Sequence, residues 1–449
     1  MVTRAPRSPL FEGPCTTCEY KESCTPYAEL HQHLFRHAKF QRETSTNAID
    51  SALDGIVTTY LRSLRALHAR GEIEAGALGN ALASLVDLCI TGVYTNGLVD
   101  DSGSFKQRAL RCGNDSVAFP YTWMCPLCVA AGKSRSDCYL PQARRESKNG
   151  TIRDYPLVER LAKPGGRAIG DQGIQVVKSL LRAALGSSGT GARLRDGGGA
   201  RGEFDLTVAT DDVLAFIEVK AKPLIAYPLI ARVSPPFAVA EFQHDWVDLK
   251  MNQVTELSLF LAASDYHLPI SLPTSAAVEV WPLPDIEMLV QDESIVKMVV
   301  NNWVQHAEAY TEWTGEPDRL RWHRFGCGNF SVSEDGQSVE KRVANTKELP
   351  GLDRTDDIKK GAAQVLKYSR LKFECKRRAL RAILLGNTHA LTHHEDYVSP
   401  LLHLKVVEGH GDLDRSEWIF DAMIGLTQNH FNAPDLARIF SFEKLLHEI

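Results

Sequence analysis

Residues 203–222, EFDLTVATDDVLAFIEVKAK, constrain this chain more than any other stretch. Thr210-Asp211-Asp212 is the polar break expected of a tight connection, because Asp side chains bond the backbone of a turn. Side chains of a strand alternate between faces, so Glu203, Asp205 and Thr207 share one side of the strand before the turn. Phe216, Glu218, Lys220 and Lys222 share one side of the strand after it, and Ala215, Ile217, Val219 and Ala221 are expected to be core. Such a hairpin brings two carboxylates and an ammonium to one spot. Two oxygen anions beside an ammonium suit a hard divalent cation and a phosphodiester.

The order Asp205, hydrophobic strand, Glu218-Val219-Lys220 resembles the PD-(D/E)xK nucleases, the superfamily of many restriction endonucleases. Phe204 stands before Asp205, where that superfamily's degenerate motif begins with Pro. The resemblance implies an α/β (α+β) fold with a restriction-endonuclease-like mixed central sheet flanked by helices, in the core order α-β-β-β-α-β. It also implies that Asp205 and Glu218 hold Mg²⁺, and that Lys220 positions or helps deprotonate the attacking water.

The flanking sequence can supply that order. Residues 171–185 read as an amphipathic helix, with Ile174, Val177, Leu180, Leu181 and Leu185 on one side. Ala192-Arg193-Leu194 reads as a short strand. Residues 356–371 read as a helix capped by Thr355 or Asp356, and residues 380–385 as a buried strand ending at Gly386-Asn387. Residues from about 223 to 353 are then an insertion. Gln364 and Tyr368 form a Q-x-x-x-Y pattern similar to that of RecB-like members, which implies a catalytic auxiliary role for Gln364. Residues four apart share one helix face. The first helix of that family often carries a further acid, whereas Asp171, Gln172 and Gln175 stand here, and none is a glutamate. Glu203 and Gln175 are the remaining auxiliaries.

Ten cysteines in a chain without a signal-peptide apolar core point to metal or free thiols rather than disulfides. Cys15, Cys18 and Cys24 form a knuckle whose thiolates can reach one ion, with His31, His33 or His37 able to add a fourth ligand. Zinc is the favoured ion. The same spacing resembles the iron–sulfur staple of some RecB-type and CRISPR-associated nucleases, which is the runner-up. Cys112, Cys125, Cys128 and Cys138 match a closed structural Zn²⁺ site, and Cys89, Cys327 and Cys375 read as core thiols.

Residues 48–68 carry the clearest helical stripe, Ile49, Leu53, Ile56, Val57, Tyr60, Leu61 and Leu64. The polar, basic stretch 140–168 divides a helical, cysteine-rich metal-binding part, residues 1–150, from a nuclease part, residues 151–449. Residues 244–264 and 286–311 read as helices within the insertion, 277–282 as strand-like, and the tail 396–449 as helical. His389, His393 and His394 read as solvated or structural.

At 449 residues the chain is long enough for two or three domains, and 44% hydrophobic with 24% charged residues is the composition of a soluble globular protein. No membrane span is expected, and a cytoplasmic setting is. The net charge of −5 does not advertise a nucleic-acid binder, but basic residues cluster at 144–167 and 370–381, and phosphate contacts are local. The expected activity is a Mg²⁺-dependent restriction-type endonuclease acting on double-stranded DNA as a homodimer. The alternatives are a RecB-like or defence nuclease with an iron–sulfur cluster, and a non-enzymatic zinc-dependent DNA- or protein-binding factor.

Overall fold

The computed structural model describes residues 47–111, 114–119, 142–146, 152–156, 166–196, 204–225, 227–237, 246–311, 349–374, 379–408 and 415–447. Helices α1 (Ala48–Ala69) and α2 (Leu78–Asn96) come first, then strands β1 (Ala109–Arg111), β2 (Ser116–Phe119), β3 (Gln142–Glu146) and β4 (Ile152–Pro156). Helix α3 (Gly166–Ser188) precedes β5 (Arg193–Asp196), β6 (Leu206–Ala209) and β7 (Val213–Val219). Next come β8 (Leu229–Val233), β9 (Trp246–Val247), β10 (Val254–Leu261), β11 (Tyr266–Ile270), α4 (Leu283–Leu289) and α5 (Glu293–Thr311). The last stretch holds α6 (Thr355–Glu374), β12 (Ala379–Gly386), β13 (Lys405–Glu408), β14 (Arg415–Trp418), β15 (Ala422–Gly425), β16 (Gln428–Phe431) and α7 (Pro434–Ile439). The protein is thus mixed α and β. Two compact units emerge from its contacts, residues 177–221 with 351–449, and residues 48–176 with 222–350.

In the first unit a six-stranded sheet runs β16-β15-β12-β7-β6-β5. Strands β5, β6 and β7 form an antiparallel meander, and β12 lies parallel to both β7 and β15. A parallel neighbour requires a crossover. Here the chain leaves after Ala221, re-enters at Gly351, and passes through α6 before β12. Gly361 lets α6 approach β12 closely, since a Cβ there would meet Leu384 Cδ1 at 2.8 Å. Phe204, Leu214, Phe216, Ile358, Val365, Leu380, Ala382 and Leu384 share one core, with Phe204 stacked on Phe216 at 4.7 Å.

Two expectations change here. All seven residues of β7 are buried, so Phe216 belongs to the core as much as Ile217 does. A central strand with parallel pairing is buried on both faces, which erases the alternation that an exposed face would show. Among the described residues the tail is not mainly helical: it supplies β13 to β16, with α7 and short helical turns besides. Its strands are four residues each, too short for a readable period, and Ala422–Gly425 is held by parallel pairing to β12.

Asp421 ties the tail to this sheet. Its buried carboxylate accepts from Lys372 Nζ, from Arg381 Nη1 at 3.3 Å and from the Ala382 N–H at 2.8 Å. Burial pushes Asp421 above and Lys372 below their ordinary pKa values, with the ion pair opposing both shifts.

The second unit contains an antiparallel sheet, β11-β10-β8-β2-β1-β9, together with α1, α2, α4 and α5 and the separate β3–β4 hairpin. Residues 244–264, expected as a helix, instead supply β9 and β10, and residues 277–282 are turns rather than a strand. The expected 286–311 helix is two, α4 and α5. Helix α2 is long and apolar enough by composition to cross a membrane, which the sequence reading did not anticipate, yet every residue from Ala81 to Thr95 is buried in the protein. The Tyr60 hydroxyl lies 2.9 Å from Ser84 Oγ and joins α1 to α2, and Ser63 Oγ donates to Val290 O at 2.7 Å.

Asp87, fully buried on α2, is the polar anchor of this unit. Its Oδ2 accepts the Leu224 N–H at 2.9 Å, the Ile225 N–H at 3.2 Å and the Trp303 Nε1–H at 3.0 Å. Asp87→Ala strands three buried donors, so urea unfolding should show a loss of about 2–3 kcal/mol. A loss below about 1 kcal/mol would show that water substitutes for the carboxylate.

Candidate functional site

Asp205 sits one residue before β6. Its backbone N–H donates to Ile217 O at 3.1 Å, one residue out of step with the β6–β7 ladder, in which Ile217 pairs with Leu206. The ladder stops there, leaving the next N–H of β7, that of Val219, to find another acceptor. It donates to Asp205 Oδ2 at 2.7 Å. Val219 lies between Glu218 and Lys220, so this one bond fixes the Asp205 carboxylate beside them.

Glu218 faces the α6 side of β7, level with Leu384 of β12. Lys220 follows the end of β7, where its N–H donates to Leu385 O at 2.7 Å. Its Nζ lies 2.6 Å from Glu218 Oε1, with Lys220 and Glu218 side chains only 16% and 10% exposed. Burial raises the Glu218 pKa, and the Asp205 charge raises it further, while the charge and hydrogen bond of Lys220 pull it down. Asp357, in the first turn of α6, adds a smaller upward push. The structure therefore brings Asp205, Glu218 and Lys220 together, as the sequence reading expected.

The donor set fits Mg²⁺. Burial and the Asp205 charge both oppose ionisation of Glu218, and a divalent cation held by the two carboxylates would relieve that opposition. Mg²⁺ is commonly bound through one or two carboxylates while retaining waters. Among the described residues no three His, Cys, Asp or Glu side chains converge as a ready-made metal group.

The other predicted residues are dispersed. Gln364 is half-buried on α6, three residues beyond Gly361, and Gln175 is half-buried on α3. Glu203, Cys15, Cys18, Cys24, Cys112, Cys125, Cys128 and Cys138 lie outside the described residues, as does the Tyr368 side chain. Cys89 is a buried thiol whose pKa burial pushes up, in keeping with a core role. Asp357 was missed. Its one sequence signal was an acid in the first turn of a helix, a common place for one on dipole grounds.

The histidines after β12 are not all solvated. His389 is buried, its Nε2 lies 2.7 Å from His394 Nδ1, and its Nδ1 has no hydrogen-bond partner among the described residues. Burial and then His394 hold the His389 pKa down to about 4. An unfolded imidazole titrates near 6.5, so the unfolded chain binds the proton more tightly. The stability is complete above pH about 6.5 and is lost as pH falls towards about 4, by roughly 3 kcal/mol. Urea unfolding of the parent and His389→Gln at pH 7 and pH 4 checks this: the variant should lose less stability, by about that amount. Equal losses would refute the assignment.

Comparison with family models, with curated proteins and with solved structures gives no match.

Proposed function

We propose that the protein is a Mg²⁺-dependent endodeoxyribonuclease of the PD-(D/E)xK type, hydrolysing phosphodiester bonds of double-stranded DNA as restriction enzymes do. The observation that carries this reading is the Asp205 carboxylate bonded to the N–H of Val219, between Glu218 and the lysine paired with it. Support also comes from the element order. Helix α3, the β5–β6–β7 meander, α6 and the parallel strand β12 follow one another, with residues 222–350 intervening before α6. That order is compatible with the α-β-β-β-α-β core implied by the resemblance, with one interruption.

Asp205 and Glu218 would hold the metal. Bound Mg²⁺ supplies a water of lowered pKa and neutralises charge that builds on the phosphate. Asp205 is held in place by backbone rather than by a mobile side chain, which keeps the carboxylate oriented between turnovers. Lys220 orients the attacking water or accepts its proton, and its ammonium form holds a phosphate oxygen. Its pairing with Glu218 limits its rotamers before DNA arrives. Cutting both strands of a symmetric site is most simply done by a homodimer with two-fold symmetry. Structural zinc at the cysteines belongs to the same proposal.

Supercoiled plasmid incubated with the full chain in Mg²⁺ and in EDTA tests the reading. Nicked or linear DNA in Mg²⁺ alone is expected, and intact DNA in both would sink it.

A further inference from the structure

Arg354 closes the entrance to α6. Its carbonyl accepts the N–H groups of Asp357 at 3.0 Å and Ile358 at 3.2 Å, and its side chain turns back so that Nη1 donates to Asp357 Oδ2 at 2.9 Å. The Nε–H is buried and has no hydrogen-bond acceptor among the described residues. A guanidinium presents its donors as a rigid planar fork, so a carboxylate that holds one arm also fixes where the others point.

The placement follows from the sheet. Gly361 of α6 lies against Leu384, and Leu384 is the register partner of Glu218. Asp357 is four residues before Gly361, on the same helix face and one turn closer to the start of α6. A helix joining two parallel strands runs back against them, so its start lies over their carboxyl ends. Glu218 and Lys220 are at that end of β7, and the Asp357 charge is among those felt by Glu218. Arg354 and Asp357 therefore stand beside the site. Asp205, Glu218 and Asp357 make that place repellent to a polyanion, and Lys220 is already engaged with Glu218.

We propose that Arg354 is the phosphate-positioning residue of the Asp205–Glu218–Lys220 site, its guanidinium taking a non-bridging oxygen of the DNA strand to be cut. The inference rests on the nuclease reading given above. Asp357 holds Nη1, and the side chain, 22% exposed, keeps an accessible part of the guanidinium for the phosphate oxygen. The ion pair fixes the orientation of that charged donor before the backbone docks.

The test uses the full-length parent, Arg354→Ala and Arg354→Lys. Duplex DNA binding is followed by fluorescence anisotropy in EDTA over a range of salt, and cleavage is followed in Mg²⁺. Arg354→Ala should bind about tenfold more weakly, with a slope of log affinity against log salt reduced by about 1. Arg354→Lys keeps the charge and should restore the slope but not the cleavage rate, since an ammonium cannot reproduce the fork. A merely structural arginine would leave the salt slope unmoved. If the parent cuts and Arg354→Ala matches it in affinity, slope and rate, the role of Arg354 is overturned. If the parent leaves DNA intact in Mg²⁺, the nuclease reading falls instead.

Discussion

Asp205→Asn, Glu218→Gln and Lys220→Ala are each expected to lower the Mg²⁺-dependent cleavage rate by about 10²- to 10⁴-fold, the range that a single acid–base or metal-holding group commands. Plasmid nicking under single-turnover conditions measures it. The three act on one water and one phosphate, so a double variant should be scarcely slower than the worse single one. Folding should survive. Asp205→Asn keeps an oxygen that can accept the Val219 N–H. Glu218→Gln removes a carboxylate whose folded pKa burial and Asp205 raise. A carboxyl group raised in this way favours the folded state at acid pH and loses that advantage as pH rises, so at neutral pH the melting temperature of Glu218→Gln should not fall. Variants that melt like the parent and cut as fast as the parent would refute the catalytic assignment.

Asp421→Ala should be the most damaging substitution for stability among those considered, costing about 3–5 kcal/mol in guanidinium unfolding. The cost arises from what remains. Lys372, whose side chain is 4% exposed, would be left with a buried charge, and the Ala382 N–H would lose its acceptor. Adding Lys372→Met to Asp421→Ala should recover a large part of the loss, because replacing both members of a buried pair by apolar groups is often close to neutral. Recovery would be incomplete, since Arg381 also donates to Asp421, although Asp435 still holds it at 3.0 Å. A loss under about 1 kcal/mol for Asp421→Ala alone would show that the pair contributes little.

The two groups of variants probe different kinds of legibility. The Asp205, Glu218 and Lys220 triplet was readable because a strand period and a turn of three polar residues place those side chains together with no knowledge of the rest of the chain. The Lys372–Asp421 pair was not readable. Its members are 49 residues apart, on α6 and just before β15, and they meet only because β15 lies parallel to β12. Asp357 escaped for the same reason. Its influence on Glu218 depends on a helix that returns to the sheet after residues 222–350. Residues 244–264 misled because an apolar run with Leu249, Val254, Leu257 and Leu261 fits helical spacing as well as it fits a strand.

The sequence by itself determined the local hairpin, the flanking helices α3 and α6, and the buried strand β12, since each is set by short-range periodicity and by turn or cap residues. Only the tertiary structure decided how the carboxylates are held. Asp205 is fixed by the Val219 N–H because the β6–β7 register ends at Leu206 and Ile217, before it reaches Val219, a fact that no spacing encodes. It also decided that both faces of β7 are core, and that the tail completes the sheet beyond β12. Long-range parallel pairing is what places these groups, and its partners are chosen by the whole fold rather than by neighbouring residues.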